Sequence, residues 1–281
     1  MSSKVIPFDA PGRIEMVQGR HGPIMYHAND MYVGASLRLY GEYSPAEARL
    51  FAQLLRPGAT IVEVGANIGS QTVHLSKLAG PKGRVFAFEP FGINFRLLSA
   101  NLALCGGHNV QAHHIALGDT DGFLRYCWPS DEHRQNFGSY MVKTGEPNTP
   151  ISERIPIRTL DSFALNACDF LKVDVEGFET AVLRGAADTI RRCRPIIVAE
   201  NDRRGQSPAL IQLLQDYGYQ CYWWYTALFD ADNFFAEPEN IFGGLCSGNL
   251  FAAPAELNLS IVGMTPVSGP DDIGQEIFVD D

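Results

Sequence analysis

The side chains of this chain that could do chemistry stand where short apolar runs break into small-residue turns, and the first is Glu63, in TIVEVGANIGS over residues 60–70. Gly65 allows a sharp turn beyond an apolar strand, Gly69 lets backbone amides approach a ligand, and the helix that follows points its positive end into the same crevice. Glu63 lies near the end of a strand that reads as buried. An unpaired carboxylate there is costly and raises its own pKa, so a cationic group on a ligand gives the position its reason.

The spacing bears on which ligand. A dinucleotide fingerprint places a second glycine where pyrophosphate presses on the backbone and a third at the helix start; here Asn67 and Ser70 hold those places. A ligand without pyrophosphate suits such a loop, and S-adenosylmethionine is the commonest; a plain strand-turn-helix corner is the structural alternative. The run GRVFAFEP over residues 83–90 ends a second strand in Glu89 and Pro90, where a carboxylate can accept both hydroxyls of a ribose. A third run, VQAHHIALGD over residues 110–119, turns at small residues, with Ala116 and Leu117 placed to lie against an adenine and Asp119 just beyond. Three junctions in chain order supply three parts of one ligand.

The elements that must hold these residues follow from the same runs. FLKVDVEG over 170–177 and PIIVAEN over 195–201 repeat the theme of a buried strand ending in acids, with a helix between them reaching residue 193. Alternating strands and helices predict a parallel, doubly wound sheet. After a helix over 208–217, strand patterns at 219–225 and 249–253 leave no room for a crossover helix and predict an antiparallel edge pair. Upstream, Ser44 reads as an N-cap, Pro45 as the first helical position and Glu47 as a capping-box acid, with Pro57 and Gly58 stopping the helix. A polar excursion over 129–150 reads as a loop over the site. The expected organisation is a strand- and turn-rich extension over 1–43, a ligand-binding catalytic domain over 44–256, and an acidic tail over 257–281, loosely held from residue 268.

Composition narrows the classes. The 281 residues, 46% hydrophobic, can bury one large core. A formal net charge of −10 argues against a nucleic-acid partner. No apolar run approaches the roughly 20 residues of a membrane span, and the first residues lack the apolar core of a signal peptide, so a cytoplasmic protein without a membrane partner is expected. The six cysteines are scattered and read as reduced thiols. Arg191, Arg192 and Arg194 close a helical stretch and suit its negative end. Arg203 and Arg204 read either as solvated or as a seat for an anionic acceptor.

With the glycine loop, Glu89, ALGD over 116–119 and LKVDVEGFE over 171–179 in view, the chain resembles the FkbM family of S-adenosylmethionine-dependent methyltransferases. TLDS over 159–162, VLRGA over 182–186 and RPII over 194–197 are further landmarks in family order, so the resemblance spans about residues 40–200. It implies the α/β class I methyltransferase Rossmann-like fold: a seven-stranded, mostly parallel sheet with an antiparallel last strand, here with an N-terminal extension. It also implies O-methylation of a hydroxyl on a sugar or other natural-product scaffold such as a polyketide. By the resemblance, Glu63, Gly65, Ala66, Asn67, Gly69 and Ser70 surround the methionine part of the cofactor, Glu89 takes the ribose, and Ala116, Leu117 and Asp119 lie on the adenine side. Residues 41–44, with Glu42, fold back over the cofactor carboxylate.

Methyl transfer to oxygen needs an acceptor held in line with the methyl–sulfur bond and relieved of its proton. Asp174, Glu176, Glu200 and Asn201 are the candidates, and two readings stay open. In one, Asp174 or Glu176 is a general base and the others orient the acceptor. In the other, Asp174, Glu200 and Asn201 bind Mg2+, as in the acid, acid and asparagine arrangement of catechol-type methyltransferases. His133 in the 129–150 loop is a further candidate base, whereas His113 and His114 read as interior. Trp223, Trp224 and Tyr225 read as core, and Phe229, Phe234 and Phe235 as a stacking wall for an acceptor. Two other classes are weighed: a nicotinamide-dependent oxidoreductase, which lacks its glycine fingerprint here, and a non-catalytic cofactor-binding protein.

Overall fold

The computed structural model describes residues 5–6, 14–127, 136–137, 152–259 and 261–275. His133 and nearly all of the 129–150 excursion lie outside the described residues. In chain order the strands are β1 (Val5–Ile6), β2 (Ile14–Gly19), β3 (Gly22–His27), β4 (Thr60–Val64), β5 (Arg84–Phe88), β6 (Val110–His113), β7 (Ala116–Leu117), β8 (Gly122–Cys127), β9 (Ser152–Arg158), β10 (Phe170–Val173), β11 (Ile196–Glu200), β12 (Tyr219–Ala227), β13 (Cys246–Pro254) and β14 (Thr265–Pro266). The helices are α1 (Val33–Tyr40), α2 (Pro45–Leu54), α3 (Ser70–Ala79), α4 (Gly92–Cys105), α5 (Glu179–Arg184), α6 (Ala187–Cys193) and α7 (Ser207–Asp216).

The main sheet has eight strands in the order β14-β12-β13-β11-β10-β4-β5-β6. From β11 to β6 every pairing is parallel, and β13 runs antiparallel to both β11 and β12. This is the mostly parallel α/β sheet that the alternating runs require, with the sequence order reversing between β4 and β10. The C-terminal hairpin is seated with its second strand inside, because β13 pairs with β11 and leaves β12 outward. The eighth strand departs from the expected seven. It comes from the acidic tail, where Thr265 and Pro266 pair with Trp223 and Tyr222, and the part read as loose is held too: Trp223 Nε1 donates to Asp272 at 3.1 Å, and the Gln275 amide donates to Tyr225 Oη at 2.6 Å. An unpaired edge and a buried indole N–H explain why an acidic segment docks there.

Strand alternation divides the core between two faces. Val62, Val64, Leu171, Val173, Ile197 and Ala199 pack toward residues of α5, α6 and α7. Ile61, Phe170 and Val198 pack toward Phe51 of α2 and Leu75 of α3. Glu63 and Lys172 therefore lie on the second face, and the parallel register sets them directly opposite each other. The helix expected to run unbroken to residue 193 is two helices. Asp161 starts the second by accepting from the amides of Asp188 and Thr189 at 2.9 and 2.8 Å and from the Thr189 hydroxyl at 2.7 Å. The N-terminal hairpin β2–β3 packs Val17, Ile24 and Tyr26 against Ile68 and Leu97, and Asn101 of α4 bonds both the amide and carbonyl of Met25. No helix among the described residues is long and apolar enough to cross a membrane.

Candidate active site

A cavity of about 550 Å³ opens at the carboxyl ends of the parallel strands. It lies where the strand order reverses, the usual ligand crevice of an open α/β sheet. Of the sequence candidates, Glu63, Gly65, Ala66, Asn67, Ser70, Glu89, Pro90, Ala116, Leu117, Asp119, Asp174, Glu176 and Glu200 line it. Glu42, Gly69 and Asn201 do not.

Gly65 is demanded by its surroundings: at φ +87°, a Cβ on it would stand 1.8 Å from the Asp174 carbonyl oxygen. Four of the loop's amides are spent within the fold, contrary to the expectation that they face a ligand. Gly65 and Ala66 donate to the Phe88 carbonyl at 2.9 and 3.0 Å, Asn67 to Glu89 at 2.8 Å, and Gly69 to Ala66 at 2.9 Å. The loop is thus no phosphate cradle. Gly69 shapes it from behind, where a Cβ would meet Leu98 at 2.7 Å.

Glu89, 3% exposed, accepts from the Asn67 amide on one oxygen and from the Phe91 amide at 2.9 Å on the other. Burial pushes its pKa up to about 7 against the pull of those amides. Ala116 and Leu117 of β7 form, with Pro90, Leu124 and Ile157, an apolar wall, and Gly185 allows the Gly118 carbonyl to pass where a Cβ would come within 1.9 Å of it.

Glu63 finds its cation inside the protein. Lys172, absent from the expected set although a lysine inside FLKV is conspicuous, stands opposite it and bonds Asp174 at 2.7 Å. Burial works against the ammonium, but Asp174, Glu47 and Glu63 together hold its pKa above the usual value. Thr72 Oγ1 donates to Glu63 at 2.6 Å. Burial still pushes the Glu63 carboxyl up to about 7. Glu47 is no capping-box acid: Ser44 has φ +48° and makes no side-chain cap, and the buried Glu47 carboxylate lines the cavity and accepts from Gln71 Nε2.

At the ends of β10 and β11 the expected metal set does not assemble. Strand alternation sends Asn201 to the opposite face, where its amide donates to Ser207 Oγ at 2.9 Å. The acids that meet are Glu176, Glu200 and Asp202, with carboxylate oxygens within 4.8 Å of one another. Arg203 answers their charge, bonding Glu176 at 2.6 Å and approaching Asp202 at 3.4 Å. A divalent ion fits poorly beside that guanidinium. Burial, then repulsion from Asp174 and Asp202, raises Glu176 to about 8 against the Arg203 bond, and burial with the same acids raises Glu200 well above the carboxylate range. Glu200 Oε2 is buried without a partner among the described residues.

Other candidates fall away from the cavity. Glu42 is clamped by Arg20 at 2.6 and 2.9 Å and by the Phe234 amide at 2.7 Å; Tyr43 and Ser44 of the same segment reach the cavity instead. Phe234 lies under Arg20, Phe235 packs beside the N-terminal hairpin and Phe229 stacks edge-on to Tyr40, so the cavity wall on that side is Leu228, Leu245 and Cys246. His113 stacks on Phe88 and His114 on Phe95. Arg192 and Arg194 bond carbonyls of neighbouring loops, Leu165 and Tyr217, rather than the end of their own helix.

The fold and this strand-end cavity, with an anchored acid after β5 and an apolar slot at β7, define a Rossmann-like α/β protein with a ligand crevice at its strand ends. The chain belongs to the FkbM methyltransferase family, whose domain it matches over residues 63–221. It is 30% identical over 182 residues to Methyltransferase 1 of Beauveria bassiana, covering 57% of this chain and 71% of that one. It is 27% identical over 216 residues to the 31-O-demethyl-FK506 methyltransferase FkbM of Streptomyces tacrolimicus, covering 66% and 79%. A match of 28% over 209 residues to the AMB antimetabolite synthetase AmbE of Pseudomonas aeruginosa takes in 59% of this chain and only 10% of that much longer protein.

Proposed function

We propose that the protein transfers a methyl group from S-adenosylmethionine to a hydroxyl of a small molecule, a sugar or polyketide-like natural product. The observation that carries the reading is Glu89, a buried carboxylate fixed by two backbone amides at the cavity wall, between the glycine loop and the apolar slot. An acid so fixed is oriented for a ribose diol. The residues present suit the rest of the cofactor: Ala116, Leu117 and Pro90 offer flat apolar contact to an adenine, and Asn67 Oδ1 and Gln71 Oε1 are buried acceptors without partners among the described residues, open to its polar groups. When bound, S-adenosylmethionine supplies an electrophilic methyl group on a sulfonium.

The chain's own part is to position the acceptor and take its proton. Glu200, with an unpartnered oxygen, is the proposed base, and Glu176 and Asp202, tied to Arg203, tune it. Asp174, bound to Lys172, is a positioning residue. The name of the Streptomyces relative, with its 31-O-demethyl acceptor, supports oxygen as the atom methylated. The test is release of S-adenosylhomocysteine when the protein is given S-adenosylmethionine and a panel of glycosides, polyketides and amines. Turnover confined to hydroxyl acceptors supports the reading; turnover on amines alone overturns it. Because Arg203 fills the acidic cluster, dialysis against a chelator is expected to leave turnover unchanged, and restoration by Mg2+ would contradict that.

A further inference from the structure

We infer that Gln71 and Glu47 together form the site for the α-ammonium of the cofactor's methionine moiety, an assignment that rests on the methyltransferase reading. Gln71 is 7% exposed and lines the cavity. Its Nε2 donates to Glu47, whose carboxylate accepts when ionised beside Lys172, and Oε1 is the end of the amide left over. That oxygen is buried and has no hydrogen-bond partner among the described residues. A buried acceptor without a donor is costly, and the donor must come from whatever enters the cavity.

The local charge says what kind of donor. Glu47 (5% exposed) and Glu63 (1% exposed) are buried around Lys172 (4% exposed), with Asp174 bonded to it, so three carboxylates face one ammonium. Arg203, the other cation lining the cavity among the described residues, is engaged by Glu176 and Asp202. A group bringing both N–H donors and a positive charge satisfies the amide oxygen and the excess acid at once. In S-adenosylmethionine only the α-ammonium does so: the sulfonium has charge without a donor, and the ribose hydroxyls have donors without charge. Glu47 lies in α2, ahead of the matched domain over 63–221, so half of this site comes from a segment outside that domain.

The test is calorimetric titration of the full chain with S-adenosylhomocysteine and with its deaminated analogue, in which hydrogen replaces the ammonium. The wild-type protein is expected to bind the parent at least about ten-fold more tightly, the worth of one charge-assisted hydrogen bond. In Gln71→Leu and, separately, Glu47→Gln, that ratio should fall toward one while affinity for the deaminated analogue holds. Equal affinity for the two nucleosides in the wild-type protein, or an unchanged ratio in a folded variant, overturns the ammonium site alone. No binding of either by the wild-type protein overturns the methyltransferase reading and this site with it.

Discussion

Arg203 is the residue whose removal most directly reports on the acid cluster. Its bond to Glu176 favours the ionised carboxylate, so Arg203→Met should raise the pKa of that group, which already stands at about 8. A base is active when deprotonated. The proposed base, Glu200, is likewise held well above the carboxylate range, so turnover should rise with pH in the wild-type enzyme, and the limb should move to higher pH in the variant, which loses the cation facing both acids, as pH–rate profiles will show. Glu200→Gln should lower kcat by about 10²-fold or more while leaving S-adenosylhomocysteine affinity within about two-fold, because it removes a proton acceptor and not a nucleoside contact. Residue types alone made much of this legible: Glu63, Glu89, Asp174, Glu176 and Glu200 all stand out as acids closing apolar runs, and all line the cavity. What they could not reveal is partnership. Lys172 answers Glu63 from a strand more than a hundred residues away, and Asn201 leaves the acidic cluster because alternation turns it to the other face.

Elements carry the next set of consequences. Asp161 holds the start of α6 with three hydrogen bonds, so Asp161→Ala should cost about 1–2 kcal/mol, read as a lower urea midpoint with unchanged slope. Gly185 between α5 and α6 lets the β7 loop close; Gly185→Ala, whose Cβ would stand 1.9 Å from the Gly118 carbonyl, should cost about 1–3 kcal/mol and weaken nucleoside binding by displacing the apolar slot. The periodicity of apolar runs predicted these elements well, including the antiparallel C-terminal hairpin. It did not reveal the split of the last parallel crossover helix, since a contact from Gly118 to Gly185 has no local signature. Nor did it reveal β14, whose two residues gain their place only from the exposed edge of β12.

At the scale of the whole molecule, the cavity, with the turn at residues 175–177 that Glu179 holds beside it, concentrates buried carboxyls that are costly to ionise. Glu63, Glu89 and Glu179 are pushed up to about 7 and Glu176 to about 8, against an ordinary glutamate value of about 4.3 in an unfolded chain. Between those limits the folded protein holds protons that the unfolded chain has released. Its stability must then fall as pH rises from about 6.5 to about 8, the reverse of a salt-bridged carboxylate, while below that range the half-buried His21 and the buried His27, held neutral down to about 3 and about 4, act in the opposite sense. Thermal unfolding of the ligand-free protein across that range should show Tm highest at the acid end; a Tm that climbs toward pH 8 would contradict the burial of these acids in the folded state.

The consequences for turnover and nucleoside binding depend on the cavity being a site for an adenosyl amino acid. Isothermal titration with S-adenosylhomocysteine and with NAD, on the wild-type protein and on Glu89→Ala, addresses that claim most directly. Micromolar binding of the first, about −8 kcal/mol, with NAD silent and the variant weakened at least about ten-fold, is the predicted result. Binding of NAD alone, or undiminished binding of S-adenosylhomocysteine by a folded Glu89→Ala protein, would contradict it.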